Sequence, residues 1–122
     1  MMKIRSLGYD SETDELDLLI DVDRPVPAES VPIDAGIYVR RERESGRVVG
    51  AIIRGYSHFL ERLRANQPIS RKQAEAAGLA HVLDAIIAWQ REVDALSQDL
   101  AIRLGDWERQ WELLETLTKT PA

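Results

Sequence analysis

RVVGAIIRGY, residues 47–56, runs straight into SHFLERLR, residues 57–64, and the hydrophobic period changes at the join. In the first segment apolar residues alternate by two, the strand period. In the second, Phe59, Leu60 and Leu63 gather on one side of a helix. From Lys3 to the join the chain keeps the strand period, and after it the pattern is helical. An α+β fold follows: a small antiparallel β-sheet of about four strands, then a short helix and a long heptad-patterned C-terminal helix or helical hairpin. The expected division is 1–66 for the sheet with its short helix and 67–122 for a helical oligomerisation extension.

Upstream of the join, Glu15 to Val22 is the clearest strand. Leu16, Leu18, Ile20 and Val22 face one way and Asp17 and Asp21 the other, the pattern of a half-buried antiparallel strand. Ile4 to Leu7 is a shorter strand, and the turn formers between Tyr9 and Asp14 read as a hairpin loop. Pro25, Pro27 and Pro32 cannot donate to a ladder, so Arg24 to Pro32 reads as a loop or irregular edge crossing. Gly36 to Arg43 and Arg47 to Gly55 form a hairpin around Glu44-Ser45-Gly46, with Gly46 supplying a positive φ. Pairing Arg43 with Arg47 puts Ile37, Val39, Val49 and Ile53 on one face and Tyr38, Val48 and Ile52 on the other. Both faces are partly apolar, and the second wants a cover such as another subunit.

Downstream, Tyr56 to Arg64 is a short amphipathic helix closed by Asn66-Gln67-Pro68. Ser70 and Gln73 resemble a capping box opening the next helix, and no proline interrupts before Pro121. A continuous helix to Thr118 would be about 70 Å long; the break expected, if any, is Gly105-Asp106. Along it Leu79, Ile86, Val93, Leu100, Trp107 and Leu114 recur every seven residues. Val82, Trp89 and Leu96 keep the same spacing beside them, and Leu83, Leu104 and Trp111 share a third column with Gln90 and Ser97. Heptad spacing holds side chains on one side of a slightly under-wound helix, so the stripe wants a partner surface. The apolar members of the three columns are the expected interface, with Trp107 and Trp111 as aromatic anchors and Gln90 and Ser97 fixing register.

Composition narrows the function classes. The chain has 122 residues, a net charge of −5 and no cysteine, so disulfides, thiolate metal sites and a cysteine nucleophile are excluded. Residues 1–65 carry ten Lys/Arg against twelve Asp/Glu and residues 66–122 six against nine, so neither half is a basic arm and nucleic acid is not an expected partner. No apolar run approaches the length of a membrane span, the start does not read as a signal peptide, and a cytoplasmic location is expected.

Asp10-Ser11-Glu12-Thr13-Asp14 resembles the start of an EF-hand calcium loop, but the sixth position, which wants glycine, holds Glu15. An acidic, solvated loop is the better reading, and no metal or cofactor is expected. His58 and His81 lie on separate helices; His81 with Asp84 reads as a surface pair. Arg40, Arg41, Arg43 and Arg47 gather at a hairpin tip with Glu42 and Glu44 interleaved, which suits edge protection. No motif of a serine hydrolase, phosphate loop or zinc protease is present.

Residues 9–60 resemble a family of small prokaryotic proteins, the domain-of-unknown-function 2283 family. The resemblance rests on Tyr9-Asp10, Asp14-Glu15-Leu16, the crossing at Pro25-Val26, Asp34-Ala35-Gly36-Ile37, and Gly46-Arg47-Val48-Val49-Gly50-Ala51-Ile52-Ile53. It implies a small antiparallel sheet with a following helix, dimeric assembly, no established catalytic residues, and in some members a neighbouring toxin-like partner. The expected function is a non-enzymatic, homo-oligomerising protein-interaction module. The alternative is an antitoxin-like protein whose helical tail binds and blocks a partner protein. A third reading, an enzyme or metal-dependent protein using Asp10, Asp14, His58 or His81, lacks clustered chemistry in the sequence.

Overall fold

The computed structural model describes residues 2–103, the last six of them by backbone alone. Five strands form one antiparallel sheet: β1 (Ile4–Asp10), β2 (Glu15–Ile20), β3 (Glu29–Asp34), β4 (Ile37–Arg41) and β5 (Val48–Arg54), in the order β1-β2-β5-β4-β3. Three helices follow: α1 (Tyr56–Arg64), α2 (Lys72–Ala76) and α3 (Ala80–Arg103). The α+β class is as expected.

Five strands stand where about four were expected, because Glu29–Asp34 pairs with β4 despite Pro32. Proline is tolerated there because β3 is an edge strand, whose outward groups need no ladder partner. The expected register of the β4–β5 hairpin holds through its body, with Ile37 opposite Ile53 and Val39 opposite Ala51. Near the tip it shifts by one residue between Arg40 and Arg41. Gly46 turns the tip at φ 71°, and its N–H donates to the Glu42 carbonyl at 2.9 Å.

Alternation along the strands sends Leu16, Leu18, Ile20, Ile37, Val39, Val49, Ala51 and Ile53 to one face, where all are buried. Within the first unit, α1, α2 and the start of α3 contribute to the core on this face. Phe59 and Leu63 of α1 are buried, α1 reaches β3 through an Arg62–Asp34 ion pair of 3.4 Å, and α2 packs on β3. Ala74, Leu79, Val82, Leu83 and Ile86 complete the core. Each large apolar side chain so buried contributes about 1.5–3 kcal/mol against chain entropy.

Both short helices end in the same way. Asn66 stands at φ 53° after α1 and Gly78 at φ 71° after α2. The Gln67 N–H donates to the Arg62 carbonyl and the Asn66 N–H to that of Leu63. The Leu79 N–H donates to Ala74 and the Gly78 N–H to Glu75. These paired bonds are the Schellman pattern, which satisfies carbonyls that the helix would otherwise leave open. Gly78 is therefore a break that the expected continuous helix from Ser70 did not include. The expected continuation to Thr118 and a break at Gly105-Asp106 lie outside the described residues.

By its contacts the chain divides into two compact units, residues 1–87 and 88–122. The expected boundary after residue 66 falls inside the first unit. Among the described residues no helix is long and apolar enough to cross a membrane.

Candidate functional site

The heptad stripe divides along its length. Leu79, Val82, Leu83 and Ile86 are buried by the chain itself and belong to the core of the first unit. In the second unit Trp89 and Val93 are half-buried, while Leu96 is 68% exposed. Gln90 is buried and Ser97 exposed. Leu100 lies on α3 with only its backbone described. Leu104, Trp107, Trp111 and Leu114 lie outside the described residues. Among the described side chains Leu96 is thus the exposed apolar member of the stripe, and its first four members have a sufficient structural role without any partner.

The second surface is the sheet face away from the core. The crossing that carries Pro25 and Val26 borders a groove of about 320 Å³ there, floored by Leu19, Gly50 and Ile52 and flanked by Glu15, Asp17 and Arg40. Gly50 stands directly opposite Arg40 in the register. A Cβ on Gly50 would fall 2.7 Å from the Leu18 carbonyl oxygen and 3.7 Å from the Arg40 Cβ. Glycine thus lets the Arg40 stem lie across the strand. One Arg40 Nη2 donates to the Ala28 carbonyl at 3.4 Å, and its buried Nε–H has no partner. At the groove's other end Arg54 sits 5.3 Å over the Tyr38 ring and pairs with Glu15 at 3.4 Å. Apolar floor, one donor and carboxylate walls suit contact with another surface.

The other tip arginines are paired: Arg41 and Arg43 with Glu29 at 3.4 and 3.6 Å, Arg47 with Glu42 at 2.8 Å. Such exposed pairs contribute little each, about 0–1 kcal/mol, but they keep the β3–β4 rim charged.

The acidic loop is a structural latch. The Asp10 Oδ1 accepts the Glu12 N–H at 2.9 Å, an Asx-type turn. Asp14 reaches across to α1: its carboxylate accepts the Ser57 N–H at 3.1 Å and the Ser57 hydroxyl at 2.9 Å. The Tyr9 hydroxyl donates to the same carboxylate at 2.7 Å, and the Tyr9 ring packs on Tyr56 at 5.6 Å between centroids. Tyr9 and Ser57 hold the Asp14 carboxyl below its ordinary value, and Asp14 in turn pushes the Tyr9 phenol up. Among the described residues no group of three histidine or carboxylate residues is arranged to hold a metal.

His58 is exposed with Glu61 at 4.0 Å. Asp84, expected beside His81, is bonded instead to Arg71 at 2.7 Å. Arg71 precedes α2 and the ion pair ties it to α3, an approach that only the turn at Gly78 makes possible.

Sequence reasoning missed the Arg40 groove and the role of Asp14. A glycine opposite a long side chain was the available signal for the first; a helix cap 43 residues away in sequence left none for the second. A scan against protein-family models, a search of curated proteins and a search of solved structures each gave no match.

Proposed function

We propose that this chain is a non-enzymatic module that associates with copies of itself, with the outer half of α3 as one contact. The observation that carries the reading is Leu96. It continues the column of Val82 and Trp89, yet it is 68% exposed, while the column's earlier member Val82 is fully covered. A large apolar residue held in heptad phase and left to solvent gains about 1.5–3 kcal/mol when a partner helix covers it, and the stripe repeats that gain at each heptad position. The resemblance to the domain-of-unknown-function 2283 family, which implies dimers, supports the same reading.

Light scattering coupled to size exclusion tests it, with far-ultraviolet circular dichroism on the same peak. The native chain is expected at two or more times 13.8 kDa. Leu100→Asp is expected to lower that mass with the strand signal intact, because an isolated charge is costly to bury in an apolar seam. An unchanged mass for Leu100→Asp removes the stripe as an interface. A native chain that is a monomer at every concentration removes self-association and hands the stripe to a different protein, which is the antitoxin-like reading.

A further inference from the structure

The sheet has two edges, and they are built differently. β3 carries Pro32, whose nitrogen has no hydrogen to donate, a register shift between Pro32 and Asp34, and a covering neighbour in α2. Each feature blunts strand addition. β1 is shifted only at its start, between Ile4 and Ser6, where Arg5 is held by Asp23 at 2.7 Å. From Ser6 to Asp10 it runs in unbroken register, every residue exposed, with no proline and no basic residue. Leu7 is 57% exposed and Tyr9 47%, two of the three large apolar side chains left open among the described residues.

The hydrogen-bonding direction of this edge follows from the far side of the sheet. The Arg54 N–H donates to the Gly36 carbonyl, towards β4. Neighbouring peptide groups in a strand point opposite ways, so those of Ile53 point to β2 and bond with Leu16, its direct partner. Leu16 thus spends its groups on β5. Tyr9 opposite Leu16, and Leu7 opposite Leu18, turn their own N–H and C=O groups outward.

We propose that β1 pairs antiparallel with β1 of a second copy of this chain, about a two-fold axis at Gly8; the proposal rests on the self-association reading above and names a contact for it. Three symmetric registers bring the outward groups together. Centring on Leu7 sets Tyr9 against Arg5, inside the register shift. Centring on Tyr9 sets Leu7 against Ser11, in the turn. Centring on Gly8 sets each Leu7 opposite the partner's Tyr9, so both outward residues of each copy exchange N–H···O bonds within the regular run. Leu7 and Tyr9 share the core-side face of the sheet, as their partners Leu18 and Leu16 show, so each aliphatic–aromatic pair lands on that face and extends the apolar layer. Gly8 meets the partner's Gly8 at the close, non-hydrogen-bonded position with nothing within 4 Å of its missing Cβ. Ser6 meets Asp10, and no like charges oppose. The product is a closed two-fold dimer with one ten-stranded sheet.

The test compares the native chain with Leu7→Lys and Leu7→Pro, by light scattering across concentration and by amide hydrogen exchange. Both substitutions fall on an exposed side chain whose N–H serves no bond to β2. The expected result is that each variant halves the native mass, with circular dichroism unchanged. The Leu7 and Tyr9 amides of the native chain should be protected, and Leu7→Lys should cut Tyr9 protection at least tenfold. A native oligomer whose mass survives both substitutions overturns the edge contact and leaves self-association standing. A native chain that is always a monomer overturns both. If either variant fails to fold, the native chain decides alone: rapid exchange at Leu7 and Tyr9 in an oligomer overturns the proposal, and protection at both supports it.

Discussion

Asp14 stands at φ 53°, in the left-handed region that asparagine and aspartate enter most readily after glycine. From there its carbonyl oxygen accepts the Gly55 and Tyr56 N–H groups and its carboxylate accepts Ser57, so one residue satisfies three N–H groups at the open start of α1 and places a negative charge there. Because Asp14 titrates lower in the folded chain than its ordinary value, its contribution is complete above about pH 4 and is lost as pH falls through the lowered value. Tyr9 runs the other way. Its value is raised, so its contribution is complete below about pH 10 and is lost as pH rises through the raised value. Asp14→Asn keeps the backbone preference and removes the charge. It is expected to melt below the native chain at pH 7, the gap closing as both are taken towards pH 2. A gap that stays constant with pH would show that charge at Asp14 plays no part. Tyr9→Phe should raise the Asp14 value, read by carboxyl-carbon titration; no movement would show that the Tyr9 bond is not its cause.

At the scale of elements, Gly78 separates α2 from α3. Its φ of 71° costs a residue with a Cβ about 1–2 kcal/mol. Nothing lies within 4 Å of the position that Cβ would take. Gly78→Ala is therefore a test of conformation alone: stability should fall by about 1–2 kcal/mol in urea unfolding, with the Arg71–Asp84 pair retained. A neutral or stabilising result would mean that α2 and α3 join into one helix, as the heptad pattern by itself suggests. The first helix was legible to the residue, since the amphipathic run and Asn66-Gln67-Pro68 are both local signals. The second was not, because a lone glycine in a helical pattern is tolerated as often as it terminates. What tips the balance at Gly78 is the burial of Ala74 and Leu79 on either side of the turn.

Across the whole molecule, the sheet has one face closed by helices and one left to a crossing loop and a groove. Among the described residues Arg40 Nε is a buried donor without a partner, which costs about 1–3 kcal/mol. Arg40→Met keeps most of the stem and removes the donor. The isolated chain should be no less stable, and by up to about 1 kcal/mol more. A loss beyond 1 kcal/mol would show that the Ala28 contact matters more than the orphaned Nε. Association is the informative second readout: an Arg40→Met chain that folds as well but assembles worse would place the groove in an interface.

The alternation of apolar residues from Ile4 to Ile53 and the helical spacing after Tyr56 determined by themselves that this is a sheet followed by helices, and even the register of Ile37 with Ile53. Those features repeat over neighbouring residues, and local backbone geometry turns them directly into faces. Only the tertiary structure decided that a proline-bearing edge strand completes the sheet, that Leu79, Val82, Leu83 and Ile86 are core rather than seam, and that Asp14 caps a helix 43 residues away. Each of these depends on which surface comes to lie against which, and a period in the sequence specifies that a face is apolar without specifying what buries it.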